Sequence, residues 1–302
     1  MSPDPKGTVV GVWTDLERRP LSEEALRRVL IAPAGPYTAF KVIATAPSTN
    51  TLLVAQAQQG APDRTVLITE YQSAGRGRAG RSWAAPARSG LTLSVLLRPT
   101  DVPQSRWSWL PLLAGVALCK TVRAVAGLPT VLKWPNDLLL GAHQHKAAGI
   151  LAELVPGQAA VVIGIGLNVT LRPDELPMPT ATSLAIEKAA CTDRDQLLRA
   201  LLLALDTEVR CWHNHHGDPV TSGLRDAYRN RCITLGQQIR VDLPDRSALI
   251  GLGDDIDTEG RLVLEYDGQR RALSVGDVTH VRSCGRRTLK TAAPVDHVDL
   301  PE

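Results

Sequence analysis

Between Tyr71 and Thr100 the chain carries five arginines and no Asp or Glu. Three of them, Arg76, Arg78 and Arg81, alternate with Gly75, Gly77 and Gly80 in Gln72-Ser73-Ala74-Gly75-Arg76-Gly77-Arg78-Ala79-Gly80-Arg81-Ser82-Trp83. Glycines let backbone amides turn toward a bound group, and guanidinium forks suit phosphate or carboxylate. The direct reading is a loop that folds around a small anion. A flexible hairpin with solvated arginines is the plain alternative, but it gives the i, i+2, i+5 spacing no purpose. Gly75-x-Gly77-x-x-Gly80 has the form of a dinucleotide fingerprint. That fingerprint needs a helix to begin inside the glycine run, and Trp83, Pro86 and Gly90 follow instead. No Gly-Lys-Ser/Thr is present to make a Walker loop.

Further polar residues stand where apolar strands and helix starts would not need them. Lys133 opens Lys133-Trp134-Pro135-Asn136-Asp137, and Lys146 opens the apolar run 147–154. Singly, each reads as a strand-end lysine with an extended stem. On adjacent strands and beside an arginine loop, they make a cationic cluster facing one pocket. Ser48-Thr49-Asn50 supplies three cap-type residues where one would start a helix. Either these are spare polar residues at a helix start, or they and the free helix N-terminus hold a polar ligand. In Gly164-Ile165-Gly166-Leu167-Asn168, glycines weaken a buried strand unless a ligand or another backbone approaches closely. Cys211-Trp212-His213-Asn214-His215-His216 lacks second ligands at metal spacing, and His143 and His145 read as a solvated turn. No Gly-x-Ser-x-Gly elbow or Cys/His signature points to an acyl-enzyme.

The elements that must position these residues follow from periodicity and turn chemistry. Ser22 reads as the N-cap of a short helix ending near Ile31, with Leu21 and Leu26 at staple spacing; residues 1–20 read as mobile. Strands are expected over 40–46, 65–71 and 91–97, with a helix over 51–59 closed by Gly60. A helix over 107–126 ends at Gly127, and 131–140 reads as one strand, bulged or at an edge because of Pro135. The runs 146–155 and 159–169 make a hairpin-like pair, and Pro173, Pro177 and Pro179 make 171–181 an extended loop. From Arg194 the apolar positions keep helical period, with Thr192 as the candidate cap, and a last helix covers 224–231. After Cys232, short strands over 239–243, 247–253, 262–266, 269–274 and 278–281, separated by turn residues, imply a small β-barrel of SH3-like size.

Composition narrows the class. The 302 residues suit one large domain plus a smaller one, and 44% hydrophobic content can fill a core. A net charge of +3 is too small to demand nucleic acid. Five cysteines without a CxxC, and no signal peptide, suggest reduced thiols in the cytoplasm. The longest apolar run, 107–119, falls short of the ~20 residues a membrane helix needs.

Five segments in order, Ser48-Thr49-Asn50, Gly75-Arg76-Gly77-Arg78-Ala79-Gly80-Arg81-Ser82-Trp83, Lys133-Trp134-Pro135-Asn136-Asp137, Lys146-Ala147-Ala148-Gly149-Ile150-Leu151 and Gly164-Ile165-Gly166-Leu167-Asn168, resemble the successive motifs of biotin–protein ligases. The resemblance covers about residues 40–283. It implies an α+β fold: a mixed β-sheet with helices packed on it, class II synthetase-like, plus the C-terminal SH3-like barrel. The implied division is an N-terminal extension with one short helix (1–36), a biotin- and ATP-binding catalytic domain (37–232), the barrel (233–283) and a polar tail (284–302).

It also implies a two-step reaction. Biotin and MgATP give biotinoyl-5′-AMP and pyrophosphate, and the biotinyl group then passes to a lysine of a biotin carboxyl carrier domain of an acyl-CoA, acetyl-CoA or pyruvate carboxylase. The resemblance assigns Arg76, Arg78, Arg81, Lys133 and Lys146 to catalysis. Ser48, Thr49, Asn50, Gln72, Arg76, Gly77, Arg78, Lys146, Gly149, Gly164 and Gly166 go to biotin, with the glycines leaving room for its flat rings. Gly75, Arg78, Arg81, Trp83, Lys133, Asn136 and Asn168 go to ATP or the adenylate. Mg²⁺ would arrive with ATP near Asn136, without a protein-only metal site. The chain departs from the family pattern at Ala147, where Leu is frequent, and in His143-Gln144-His145, which lengthens a hairpin. The 36 residues before Tyr37 are too few for a winged-helix domain, so DNA binding is not expected, and the short apolar run 107–119 gives no reason to expect a membrane partner. A lipoate-type ligase would lack the arginine loop and the barrel. A nucleic-acid module would want a basic barrel, whereas 239–281 is acid-rich.

Overall fold

The computed structural model describes residues 18–274 and 276–280. A seven-stranded mixed sheet runs in the order β1-β2-β3-β7-β6-β5-β4. Its strands are β1 (Ala39–Ile43), β2 (Thr65–Thr69), β3 (Gly90–Leu97), β4 (Val131–Lys133), β5 (Asp137–Leu140), β6 (His145–Leu154) and β7 (Val161–Asn168). Only β1 and β2 pair in parallel, joined by the crossover helix α2 (Thr49–Gln58); the remaining neighbours are antiparallel. The fully buried β2, Thr-Val-Leu-Ile-Thr, has helices to cover it, which is why it reads as a continuous apolar run rather than an alternation.

Helix α3 (Leu110–Thr121) is buried at almost every position and fills the space between the sheet and the long amphipathic α4 (Arg194–Asn214). A 3₁₀ turn (Gln104–Trp109) and a π turn (Val122–Ala126) extend α3 at either end, and Gly127 closes it with φ +69°. The extended stretch Gln104–Ala126 is long and apolar enough to cross a membrane, contrary to the estimate from residues 107–119 alone. However, 72% of its apolar window is buried inside the fold, so it is a core helix here. Helix α5 (Leu224–Arg229) closes this body.

Four local expectations change. The 131–140 segment is not one strand but a hairpin, β4–turn–β5, because Pro135 cannot donate to a ladder and the chain reverses at Trp134-Pro135-Asn136. Asp193, not Thr192, caps α4, its carboxylate accepting from the Gln196 amide at 2.9 Å. Ser22 sits at the N-cap of α1 (Glu23–Leu30) without a side-chain capping bond. Arg18 and Arg19 are held rather than loose: Arg18 reaches Glu175 at 2.5 Å, and the Arg19 carbonyl accepts from Arg194 at 2.5 Å. Residues 1–17, the expected tail 284–302 and Cys284 lie outside the described residues.

The C-terminal strands β8 (Gln238–Asp242), β9 (Ala248–Ile256), β10 (Leu262–Tyr266), β11 (Gln269–Leu273) and β12 (Asp277–His280) form one antiparallel sheet in the order β11-β10-β9-β8-β12. The expected closed barrel is not found among the described residues, since β11 and β12 are the two edges. Residues 269–272 of β11 are exposed. Three bonds to the 258–260 turn fasten this sheet to the main body. Trp109 Nε1 donates to Thr258 O at 2.8 Å, Ser108 Oγ to Glu259 O at 2.7 Å and Trp134 Nε1 to Gly260 O at 3.1 Å. The apolar core runs unbroken from Leu26 and Trp109 to Ile256 and Leu264.

Candidate active site

The glycine–arginine segment leaves β2 and returns on itself as a closed hairpin. Trp83 N donates to Gly75 O at 2.9 Å, Gly77 N donates to Arg81 O at 2.6 Å, and Arg76 and Ser82 pair as an antiparallel bridge. Ala79 (φ +52°) and Gly80 (φ +74°) make the tip, a left-handed pair that a β-branched residue would resist. A Cβ on Gly75 would lie 2.2 Å from the Trp83 carbonyl oxygen, so this glycine lets the two arms of the hairpin close. The hairpin carries its arginines to three different parts of the fold. Arg76 pairs with Glu153 of β6 at 3.1 Å, Arg78 donates to Asn136 Oδ1 at 3.2 Å, and Arg81 pairs with Asp277 of β12 at 2.7 Å.

Ser48 caps α2, its Oγ accepting from the Thr51 amide at 3.4 Å. Thr49 and Asn50 are therefore first-turn residues, not further caps, and both are buried. Thr49 donates through its amide (2.8 Å) and hydroxyl (3.2 Å) to Gln72 Oε1, which leaves the Gln72 amino group beside Gly75. Asn50 Nδ2 donates to Leu151 O at 3.1 Å and Glu153 Oε2 at 2.8 Å, and its Oδ1 accepts from Ser94 at 2.6 Å. A Cβ on Gly164 would sit 2.2 Å from that Oδ1. On Gly166 it would sit 2.3 Å from the Trp83 indole, and on Gly149 it would be 3.3 Å from the same ring. The room these three glycines leave is thus taken first by the protein's own Asn50 and Trp83. Asn168 is anchored by Nδ2 to Thr182 O at 2.9 Å.

Lys133 and Lys146 are not on adjacent strands. Strand β5 lies between them, and its Asp137 stands opposite Lys133 in the ladder and 2.6 Å from Lys146 Nζ. The intervening carboxylate lets two ammonium groups share one pocket. Lys146 Nζ also lies 5.9 Å from the Trp83 ring centroid. Burial holds the Lys133 ammonium below the usual lysine range, with Asp137 pulling it back up. Burial likewise lowers Arg78, against the pull of Asp277. Water is being withheld from cations here, which raises their worth to an incoming anion.

Every site residue expected from the sequence except Gly75 lines one cavity of about 1110 Å³. Sequence reasoning missed Ser94, Asp137 and Glu153, although a polar residue inside an apolar strand is the signal that singled out Lys133. It also missed Gln237, just before β8, and Asp277, Thr279 and His280 of β12, which nothing local marks. His143 is on the expected turn, but His145 is the first residue of β6, and both line the cavity. The Cys211–His216 segment is elsewhere: His213 faces Asp101 at 3.8 Å and His215 Nδ1 meets Cys211 O at 2.8 Å. Among the described residues no three His, Cys, Asp or Glu side chains group as metal ligands.

Residues 42–169 match the Biotin/lipoate A/B protein ligase family, and residues 234–281 match the Biotin protein ligase C terminal domain. The biotin--[acetyl-CoA-carboxylase] ligase of Mycobacterium tuberculosis is 43% identical over 272 residues, covering 89% of this chain and 98% of that protein. The chain belongs to the biotin protein ligase family. A second member, the bifunctional ligase/repressor BirA of Bacillus subtilis, is 32% identical over 228 residues, 74% of this chain and 68% of that one. The biotin protein ligase fold is also seen in the Aquifex aeolicus enzyme in complex with biotin and ATP, with a TM-score of 0.67 at 23% identity, over 82% of this chain and 100% of that one.

Proposed function

We propose that this chain is an ATP-dependent biotin–protein ligase that joins biotin to one lysine of a biotin carboxyl carrier domain. The observation that carries this reading is the single cavity in which five separated segments meet: anion-binding residues from the arginine hairpin and β4–β6, the polar start of α2, and the glycines of β7. In the first step a biotin carboxylate oxygen attacks the α-phosphorus of MgATP, and the bond to the β-phosphate breaks to release pyrophosphate. Arg76, Arg78, Arg81, Lys133 and Lys146 neutralise the charge that gathers in that transition state. In the second step the carrier lysine, as free amine, attacks the acyl carbon; the acyl–oxygen bond breaks, AMP leaves with its electron pair, and the amine loses a proton.

Biotin's ureido end is assigned to Ser48, Thr49, Asn50 and Gln72, with its rings against Gly149, Gly164 and Gly166. Trp83 would have to slide or tilt off Gly166 to share that space, and its place on the hairpin permits this. Asn136 and Asn168 serve the nucleotide, Mg²⁺ enters with ATP, and the hairpin over the adenylate keeps water from the mixed anhydride. The division into a 37–232 catalytic body and a 233–283 SH3-like module, with class II synthetase-like architecture, belongs to the same reading, as do a cytoplasmic location and an acetyl-CoA or pyruvate carboxylase as carrier. DNA is not among the proposed partners: Arg76, Arg78 and Arg81 turn to Glu153, Asn136 and Asp277 instead of forming an outward basic stripe. Sequence-specific mobility shifts with adenylate present would refute that point. The reading itself is tested by biotin-dependent exchange of radiolabelled pyrophosphate into ATP. Exchange that depends on lipoate, or no exchange, overturns it.

A further inference from the structure

We propose that His280 acts with Lys133 as a binding residue for a pyrophosphate-class polyanion, and that it takes up a proton when that anion enters. The inference rests on the ligase reading, in which such a group is the leaving half of ATP. His280 ends β12 and lines the same cavity as Lys133, which ends β4. Its Nε2 is buried and, among the described residues, has no hydrogen-bond partner. A buried ring nitrogen left unpaired is unfavourable unless something in the pocket completes it.

The surrounding charges say what that is. On its own strand, Asp277 is paired with Arg81 of the hairpin, and on β5 Asp137 is paired with Lys146 of β6. Strand β8 sets Ile239 opposite His280 and Arg240 opposite Thr279, and Arg240 is turned to Asp242 at 2.8 Å. Arg78 is bonded to Asn136. Among the described residues Lys133 has no ion pair, and it is the charge that acts on the imidazole. Burial first, and Lys133 second, keep His280 below the ordinary histidine range and so favour its neutral ring. A polyanion reverses both effects: it neutralises Lys133 and accepts from the new imidazolium Nε2–H. The proton comes from solvent. Because protonation is favoured in the bound state, affinity for the polyanion rises as pH falls through the bound-state pKa.

Pyrophosphate and the β,γ-phosphates of ATP share this chemistry, whereas the adenylate keeps only the α-phosphate and should be blind to His280. Titration calorimetry of MgATP, and separately of pyrophosphate, into the full chain in buffers of different ionisation enthalpy reads the proton uptake. The difference between wild type and His280→Gln is the measure, because ATP's own terminal phosphate also titrates. We expect His280→Gln to lose the extra proton and to weaken both ligands about tenfold, the loss of one charge-assisted bond. Dissociation of preformed biotinyl-adenylate should not change. His280→Arg should restore affinity without proton uptake. Equal proton uptake in wild type and His280→Gln overturns the proposal. So does an adenylate off-rate that rises in step with the ATP loss, which would make His280 structural. If the wild type shows no biotin-dependent exchange while the proton difference persists, the ligase reading falls and the polyanion subsite stands.

Discussion

Arg78 and Gly166 illustrate how differently two residues can serve one site. Arg78 is held by Asn136 and largely withdrawn from water, so its bond to an adenylate would face little competition from solvent. A charge-assisted hydrogen bond is worth about 1.5–3 kcal/mol, so Arg78→Ala should speed adenylate dissociation roughly ten- to a hundredfold in a chase experiment. Gly166 acts by absence. Gly166→Ala would put a methyl 2.3 Å from the Trp83 indole and displace it from the sheet. Because Trp83 rides on a hairpin instead of in the core, the melting temperature should fall little, while affinity for biotin and adenylate drops by at least about tenfold, the scale of a 1–3 kcal/mol overpacking cost. Equal losses in stability and affinity would mean that the indole is a structural plug.

The elements around the site are fixed at their margins by side chains. Helix α1 guards the sheet's outer strand: Arg27 Nη1 donates to Phe40 O at 2.5 Å, and Glu23 accepts from the Val42 amide at 3.3 Å. The opposite edge, β4, is covered by the chain itself, with Leu132 N donating to Arg231 O at 2.8 Å and Ile233 N to Leu132 O at 2.9 Å. Covered edges leave little template for strand addition. The approach to α1 is tied down by Arg18 on Glu175, a mostly buried pair. Burial raises the Glu175 carboxyl, but the bonds from Arg18 and the Arg172 amide outweigh it, and the net pKa lies below the ordinary value of 4.5. A carboxyl depressed in the folded state stabilises above its unfolded pKa and loses that contribution as pH falls through the folded value. Arg18→Ala should therefore cost about 1–3 kcal/mol at pH 7 in urea unfolding, with the gap to wild type narrowing below about pH 4.5. The glycine-rich hairpin has its own backbone bonds and the Arg81–Asp277 pair. Amide exchange over residues 75–83, with and without adenylate, measures how much closure the ligand adds.

In the whole molecule the C-terminal sheet is part of the catalytic body's core. Trp109 and Trp134 donate their indole N–H groups to the 258–260 turn, and one apolar cluster spans both parts. We expect one cooperative thermal transition, with Trp134→Phe lowering stability by about 1 kcal/mol through the bond lost to Gly260; two resolved transitions would show that the sheet unfolds alone. Much of the architecture was legible beforehand, because runs such as 65–69 and 161–168 have no stable place except inside a sheet, and the long period-3.6 face of α4 has none except against another apolar surface, here chiefly α3. Local chemistry also marked the hairpin, the α2 start and the two lysines, since each puts glycine or charge where local structure does not want it. What the order of residues could not supply was partnership. That Asp137 stands between Lys133 and Lys146, that Trp83 fills the space above Gly166, and that Asp277 and His280 reach the site from a separate sheet are consequences of packing between segments up to 196 residues apart. Side-chain type and spacing determine which groups need an anion, and only the tertiary fold decides which of those groups already have a partner.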